Sequence, residues 1–316
     1  MPVIAVARHA MNTRFEVVLH GDNPVTLRAA ADQALEEIER LEGQLTVFRP
    51  TSEISRVNRW ASAEPVRVSP PVFHLLQRAR QLSHATQGAF DPTVGPLLEA
   101  WGFVGGSGRM ATPEAVAEAR TRVGMEWVEL NEAAFTVRFA RAGMRLDLGA
   151  IGKGYALDCA AEILREAGVV SGFLHGGTSS SLAIGRPGDA DAWVVAVEDP
   201  RGKPEHPRPP LAKWRLEDES LGVSGIHGKA FHAGNRVFGH VLDPRTGQPV
   251  QGSWMAAVVS ASAADSDALS TALITLGAEG LAWLPARYPQ GRFLVLEAPD
   301  ESGAAPVHVV GPDGIR

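Results

Sequence analysis

The stretch LDLGAIGKGYALD, from Leu146 to Asp158, constrains the fold more than any other part of the chain. It reads as the end of a strand, a glycine-rich turn and the first turns of a helix. Gly149, Gly152 and Gly154 surround Lys153, and Tyr155 opens an apolar helical pattern through Ala156, Ala160, Ile163 and Leu164. Glycines let a backbone approach a ligand closely, and amides at a helix start attract anions. The stretch therefore reads either as a phosphate-binding turn or as a plain tight turn. It has neither the GxxxxGK[ST] spacing nor GxGxxG.

The 33 Gly and 22 Pro among 316 residues predict many turns and few very long helices, which argues for mixed α and β elements over a helical bundle. At 45% hydrophobic the chain can bury the core of one large domain or two smaller ones. The net charge of -6 is spread without runs of one sign, which argues against a nucleic-acid partner. No apolar run approaches the roughly 18 residues of a membrane span. The first residues, MPVIAVARHAMNTRF, lack a basic start, a long apolar core and a small-residue cleavage site, so the expected location is the cytoplasm. Cys159, the single cysteine, falls on the helix after the turn and reads as a buried structural thiol.

In chain order, TRFEVVLH (13–20) alternates as a strand. Asn23 and Pro24 then cap an amphipathic helix over 24–42, with Leu27, Ala31, Ala34, Leu35, Ile38 and Leu41 on its apolar face. A polar loop is expected over 46–59, holding Ser52, Ser55 and Asn58 at regular intervals. Ser69 and Pro70 start a second helix, 86–103 is too rich in Gly and Pro to be regular throughout, and Thr112 and Pro113 cap a third helix. Strands are expected at WVEL, FTVRFA, GFLH and WVVAVED, around 213–216, 237–242 and 256–260, and at RFLVLE. A loop is expected over 176–185, a mobile surface excursion over Pro200–Pro210, a helix over 265–276 and a short helix at 278–286. No internal repeat or linker divides the chain.

Four polar constellations accompany the opening turn. In SDALSTALITLG, Asp267 and Thr271 stand at i and i+4, so on a helix their oxygens share a face. A carboxylate and a hydroxyl suit a hard cation such as Mg²⁺; the alternative is a helix cap and a back-bonded threonine. In GHVLDPRTGQPV, His240 precedes a tight turn and could serve as acid or base, or be structural, while Asp243 and Arg245 could form a turn-stabilising pair. In GAFDPTVGPLLEAWGF, Asp91 and Thr93 bracket a proline turn, followed by Trp101 and Phe103. HGGTSSS (175–181) is either a polar-ligand loop or a linker. No Gly-x-Ser-x-Gly elbow and no zinc-spaced Cys/His cluster is present, which weakens hydrolase and zinc readings.

Together, TSEISRVN, GAFDPTVGPLLEAWGF, DLGAIGKGYALD, the GG loop, SG followed by GHVLDPRTG, and SDALSTALITLG resemble, in order, the successive blocks of the ApbE family of Mg²⁺-dependent FAD:protein FMN transferases. The resemblance runs from about Met11 to Gly277. It implies one α+β domain of the T-fold-like type over residues 1–316, a mixed, mainly antiparallel sheet with flanking helices and FAD as substrate in a cleft. It further implies cleavage of the FAD pyrophosphate, attachment of FMN by its phosphate to a Ser or Thr of an acceptor protein, and release of AMP. On this chain the Mg²⁺ ligands, for one ion or two, would be Asp267, Thr271 and the backbone carbonyl of Ala150. Asp267 and His240 would be the catalytic pair, His240 assisting proton transfer from the acceptor. Met11, Ser52, Ser55, Asn58, Asp91, Lys153, Gly176, Gly177, Thr178 and His240 would hold FAD. The chain departs from the family pattern at Thr178, where an acidic residue is usual, and in SGIHGKAF, where a tyrosine usually follows SG. Two other readings stand beside this one: a Mg²⁺-dependent FAD pyrophosphatase that uses water as acceptor, and an FAD-binding protein without turnover.

Overall fold

The structure is a computed structural model that describes every residue except Met1, Lys203, Pro204, His227, Asn235, Glu301, Asp313 and Arg316, and only the backbone of Gly314 and Ile315. From the N-terminus, a hairpin of β1 (Val3–Ala10) and β2 (Thr13–His20) leads into α1 (Pro24–Leu45) and α2 (Glu53–Trp60). Then come β3 (Val66–Arg67), α3 (Pro70–Ala85), α4 (Gly95–Ala100), α5 (Pro113–Arg120), β4 (Val128–Asn131) and β5 (Thr136–Phe139). The glycine-rich stretch opens α6 (Gly152–Glu166), and three hairpins or strands follow: β6 (Ser171–Gly176) with β7 (Ser180–Gly185), β8 (Trp193–Val197) with β9 (Ala212–Leu216), and β10 (Ser220–Gly225). The hairpin of β11 (Ala230–Ala233) and β12 (Arg236–Gly239) precedes β13 (Ser253–Ser260), α7 (Ala263–Leu276), α8 (Leu284–Arg287), β14 (Arg292–Glu297), β15 (Val307–Gly311) and β16 (Gly314–Ile315).

Nine of these strands form one sheet in the order β1-β2-β6-β7-β10-β13-β14-β15-β16, every pairing antiparallel. Helices α1, α6 and α7 pack side by side, α1 against β1 and α7 against β10 and β13. The central strand β13 shows why this works. Ala256 and Val258 enter the helix-side core, while Met255, Ala257 and Val259 enter a second core under the β8–β9 hairpin. A strand covered on both faces needs no polar alternation, hence the run WMAAVV.

Several expected elements are present with shifted ends. The first helix reaches Leu45, with Asn23 Oδ1 accepting from the amides of Val25 and Thr26. Three expectations are corrected. Half of the polar loop 46–59 is helix α2: Ser52 caps it by accepting the Ser55 amide, and Ile54 and Val57 are buried beneath it. The loop expected over 176–185 is a tight turn followed by β7, whose small residues are buried between β6 and β10. The residues before the glycine-rich turn are not a regular strand. The Asn58 side chain takes the place of a sheet partner, donating to the Leu146 carbonyl at 2.9 Å and accepting its amide at 2.7 Å. Strands β1, β10 and β15 were not expected at all. The segment 200–210 joins β8 to β9, with Lys203 and Pro204 outside the described residues. Asp199, whose carboxyl Arg201 and burial act on in opposite directions with the net shift downward, anchors its start by gripping the Arg201 guanidinium.

Candidate functional site

The start of α7 is fixed by backbone contact before any side chain is considered. A Cβ built on Gly154 would lie 2.0 Å from the Ala263 carbonyl oxygen, and one on Gly222 would lie 2.2 Å from that of Ser266. Only glycine lets α6 and β10 approach α7 this closely. One turn beyond Gly154, the Asp158 carboxylate accepts from the Ser262 hydroxyl and from the amides of Ala263 and Ala264, at 2.8–2.9 Å. A carboxylate on the free amides of a helix start is favourable for both hydrogen bonding and the helix dipole. From the other side Arg78 of α3 forms an ion pair with Asp265.

This clamp sets Asp267, which is 3% exposed. Its Oδ2 accepts the Gly154 amide at 3.0 Å and its Oδ1 the Ser180 hydroxyl at 3.1 Å. Thr271 lies one turn on, its Oγ1 donating to the Asp267 carbonyl at 3.2 Å and lying 3.0 Å from the Ser224 hydroxyl. The back-bonded threonine read from the spacing is therefore present, and the cap is Ser262 rather than Asp267. Gly154→Ala is expected to force α6 from α7, because the added methyl meets backbone that no rotamer change can move. We expect a loss of about 1–3 kcal/mol, read as a lowered thermal midpoint.

Two cavities meet here. The first, about 610 Å³, is lined by Asp91, Asp147, Ala150, Lys153, Thr178, His240, Asp267 and Thr271 among others. The second, about 700 Å³, is lined by Met11, Phe48, Arg49, Asp147, Lys153 and Lys229 among others. Asp147, Gly149 and Lys153 border both, so the glycine-rich turn is the shared wall.

His240 follows β12. Its amide donates to the Lys229 carbonyl at 2.9 Å, and its Nδ1 lies 3.2 Å from the same oxygen. A carbonyl can only accept, so Nδ1 carries a proton, and in the neutral ring Nε2 keeps its lone pair. Burial lowers the ring's pKa, and the charges of Lys229 and Lys153 lower it further, against the Lys229 hydrogen bond and Asp147. Asp147 shows the opposite displacement: burial raises its pKa, opposed by the Gly149 amide, Lys229 and His240.

Of the residues expected to hold a ligand, Ala150, Lys153, Asp91, Thr178, His240, Asp267 and Thr271 come together on the first cavity, and Met11 on the second. Asp91 is also engaged within the protein. Burial raises its pKa, and Thr93, Met125 and Ser83 hydrogen bonds oppose that. Among the described residues Ser52, Ser55 and Asn58 line neither cavity; they build the local structure that holds Leu146. Gly176 and Gly177 shape the β6–β7 turn, a Cβ on Gly176 meeting the Phe15 ring at 2.7 Å and Gly177 adopting φ +64°. Sequence reasoning missed Asp147, Ser180, Gly222 and Lys229. Asp147 lies inside the glycine-rich stretch, two residues before Gly149, whose amide it accepts at 2.8 Å. Cys159 is half-buried, its thiol pushed up to about 11 chiefly by burial, as expected of a structural thiol.

The family model described as ApbE family matches residues 11–293. The chain belongs to the ApbE family. A relative from Klebsiella pneumoniae (strain 342), named FAD:protein FMN transferase, is 31% identical over 278 residues, covering 84% of this chain and 83% of that protein. The crystal structure of the ApbE protein from Thermotoga maritima is similar with a TM-score of 0.85 at 28% identity, over 96% of each chain. That of the Pseudomonas stutzeri flavinyl transferase ApbE, in its apo form, has a TM-score of 0.80 at 29% identity, over 94% of this chain and 92% of that one. The ApbE structures share the α+β architecture described above. Among the described residues no helix is long and apolar enough to cross a membrane.

Proposed function

We propose that this ApbE-family chain is a Mg²⁺-dependent FAD:protein FMN transferase. It cleaves the FAD pyrophosphate, attaches FMN through its phosphate to a Ser or Thr hydroxyl of an acceptor protein and releases AMP. The observation that carries this reading is the convergence of Ala150, Lys153, His240, Asp267 and Thr271, from separate parts of the chain, on one cavity of about 610 Å³.

The donor set fits the ion. A carboxylate, a hydroxyl and a backbone carbonyl are all hard oxygen donors, and each Asp267 oxygen accepts one described hydrogen bond and so keeps lone-pair capacity. Among the described residues no group of three or more His, Cys, Asp or Glu could hold a metal. That suits Mg²⁺, which shares its shell between one or two carboxylates, waters and substrate phosphates. When bound, the ion supplies charge neutralisation at the diphosphate. Lys153, at the start of α6, adds a point cation. His240, neutral with Nε2 unprotonated, accepts the proton of the acceptor hydroxyl as its oxygen bonds to the FMN phosphorus and the bond to the AMP oxygen breaks.

The test is incubation of the protein with FAD, Mg²⁺ and soluble proteins of the native host lacking this gene, with in-gel fluorescence and mass spectrometry for FMN on Ser or Thr. AMP should appear in step with the modified acceptor. FMN and AMP without a modified protein would assign a pyrophosphatase instead. FAD left intact after saturation would assign a binding protein.

A further inference from the structure

The β11–β12 hairpin delivers a second group together with His240. Its register pairs Phe231 with Phe238 and Ala230 with Gly239, so one step further Lys229 stands opposite His240. Cross-strand partners project together, and residues two apart on a strand share a face. Lys229 and His240 thus project from the face that carries Phe231 and Phe238. Phe103 bears this out, its ring lying 5.9 Å from that of Phe231 and 6.5 Å from that of His240. The Phe231 and Phe238 rings stack at 5.3 Å, and Trp101 stacks on Phe238 at 6.0 Å. The hairpin is therefore held by an aromatic core and presents its end pair in a fixed position.

The Lys229 carbonyl holds His240, and among the described residues the exposed Lys229 side chain makes no hydrogen bond or ion pair. Lys229 lines the second cavity together with Lys153, which comes from α6. Both ammonium groups lower the His240 ring's pKa, which Asp147, on the wall shared by the two cavities, opposes. Two flexible point cations from separate elements, meeting at the wall shared by two cavities, suit a ligand with two adjacent anionic groups.

We propose that Lys229 is a substrate-binding residue that grips the diphosphate of FAD from the hairpin side while Lys153 grips it from the α6 side. This rests on the transferase reading above. Because Lys229 and His240 are cross-strand neighbours, the same contact places the phosphorus beside the ring that takes the acceptor proton. Replacement of the side chain leaves the carbonyl that orients His240 in place, so binding and orientation can be separated.

The experiment is calorimetric titration of inorganic pyrophosphate and of FAD into wild type, Lys229→Met and Lys229→Arg. One charge-assisted contact is worth at least about tenfold in Kd, so the Met variant should weaken both ligands by about tenfold or more while the Arg variant stays within about threefold. In the free protein the Met change should also raise the pKa of the His240 ring, followed by NMR, since one of its two cationic neighbours is gone; Lys153, Asp147 and the Lys229 carbonyl remain. Unchanged pyrophosphate affinity in Lys229→Met overturns the proposal, as does equal loss in the Met and Arg variants. Lys229-dependent pyrophosphate binding in a wild type that never cleaves FAD would uphold the grip and sink the transferase reading. A wild type that binds neither ligand would overturn both.

Discussion

Asp267→Asn is expected to abolish Mg²⁺-dependent turnover of FAD while leaving the fold near wild-type stability. Asp267 is buried, and its two oxygens accept the Gly154 amide and the Ser180 hydroxyl. An asparagine can keep both contacts: its Oδ1 accepts the Gly154 amide, and its Nδ2 donates to the Ser180 oxygen, because a hydroxyl can accept as well as donate. The charge is lost and the geometry survives. Neutralising the one carboxylate in the proposed ion shell removes several kcal/mol of charge stabilisation, or about a thousandfold or more in rate. Asp267→Ala should be as inactive but also less stable, since it leaves two donors facing a small void at about 1–3 kcal/mol each. The measurements are Mg²⁺ titration by calorimetry, FAD cleavage against Mg²⁺ concentration, and the thermal midpoint of each variant. An Asn variant with wild-type Mg²⁺ dependence would refute this ion site.

The sequence carried these groups unevenly, and the reason is the range of their partners. Asp267 and Thr271 were legible because a helix fixes i and i+4 on one face. The groups that orient Asp267 were not, because Gly154 and Ser180 lie 113 and 87 residues away and meet it only through the fold. Helix α1 was legible from Asn23, Pro24 and one apolar stripe, all local signals. Helix α2 was missed because only Ile54 and Val57 are buried in a polar segment, and its cap, Ser52, also reads as a loop residue. Strand β7 was missed for a related reason. SSLAIG is buried on both faces, Leu182 and Ile184 toward the helices and Ala183 toward the second core, so it lacks the alternation of a half-exposed strand, and its serines and glycine also compose loops. The even spacing of Ser52, Ser55 and Asn58 sat in what read as a polar loop, and only the family resemblance placed them at FAD; in the fold Ser52 caps helix α2 and Asn58, on that helix, props Leu146. The fold shows what two of the resembling blocks do for each other: Gly154 and Asp158 of the glycine-rich stretch seat the start of α7 against α6, and Gly222, outside the blocks, seats α7 against β10.

His240→Ala should slow FMN transfer by about 10²–10⁴-fold while changing FAD affinity little, because the ring's task is to accept a proton and its removal leaves the lysines in place. The pH profile gives the sharper test. A general base works in its deprotonated form, so transfer should be full above the His240 pKa and fall as the pH drops through it. Burial, then the positive charges of Lys229 and Lys153, lower that pKa, so the acid limb should lie below the value of about 6.5 of an ordinary histidine. Asp147 opposes this shift, its own carboxyl being raised chiefly by burial. Asp147→Asn should therefore move the acid limb to still lower pH, and Lys229→Met should move it upward. Opposite displacements from two substitutions that both leave the imidazole untouched are hard to produce by general destabilisation, which would lower the plateau and leave the limb in place. A His240→Ala variant that keeps the wild-type acid limb would assign the proton to another group. Equal losses in transfer and FAD binding would make His240 a binding residue alone.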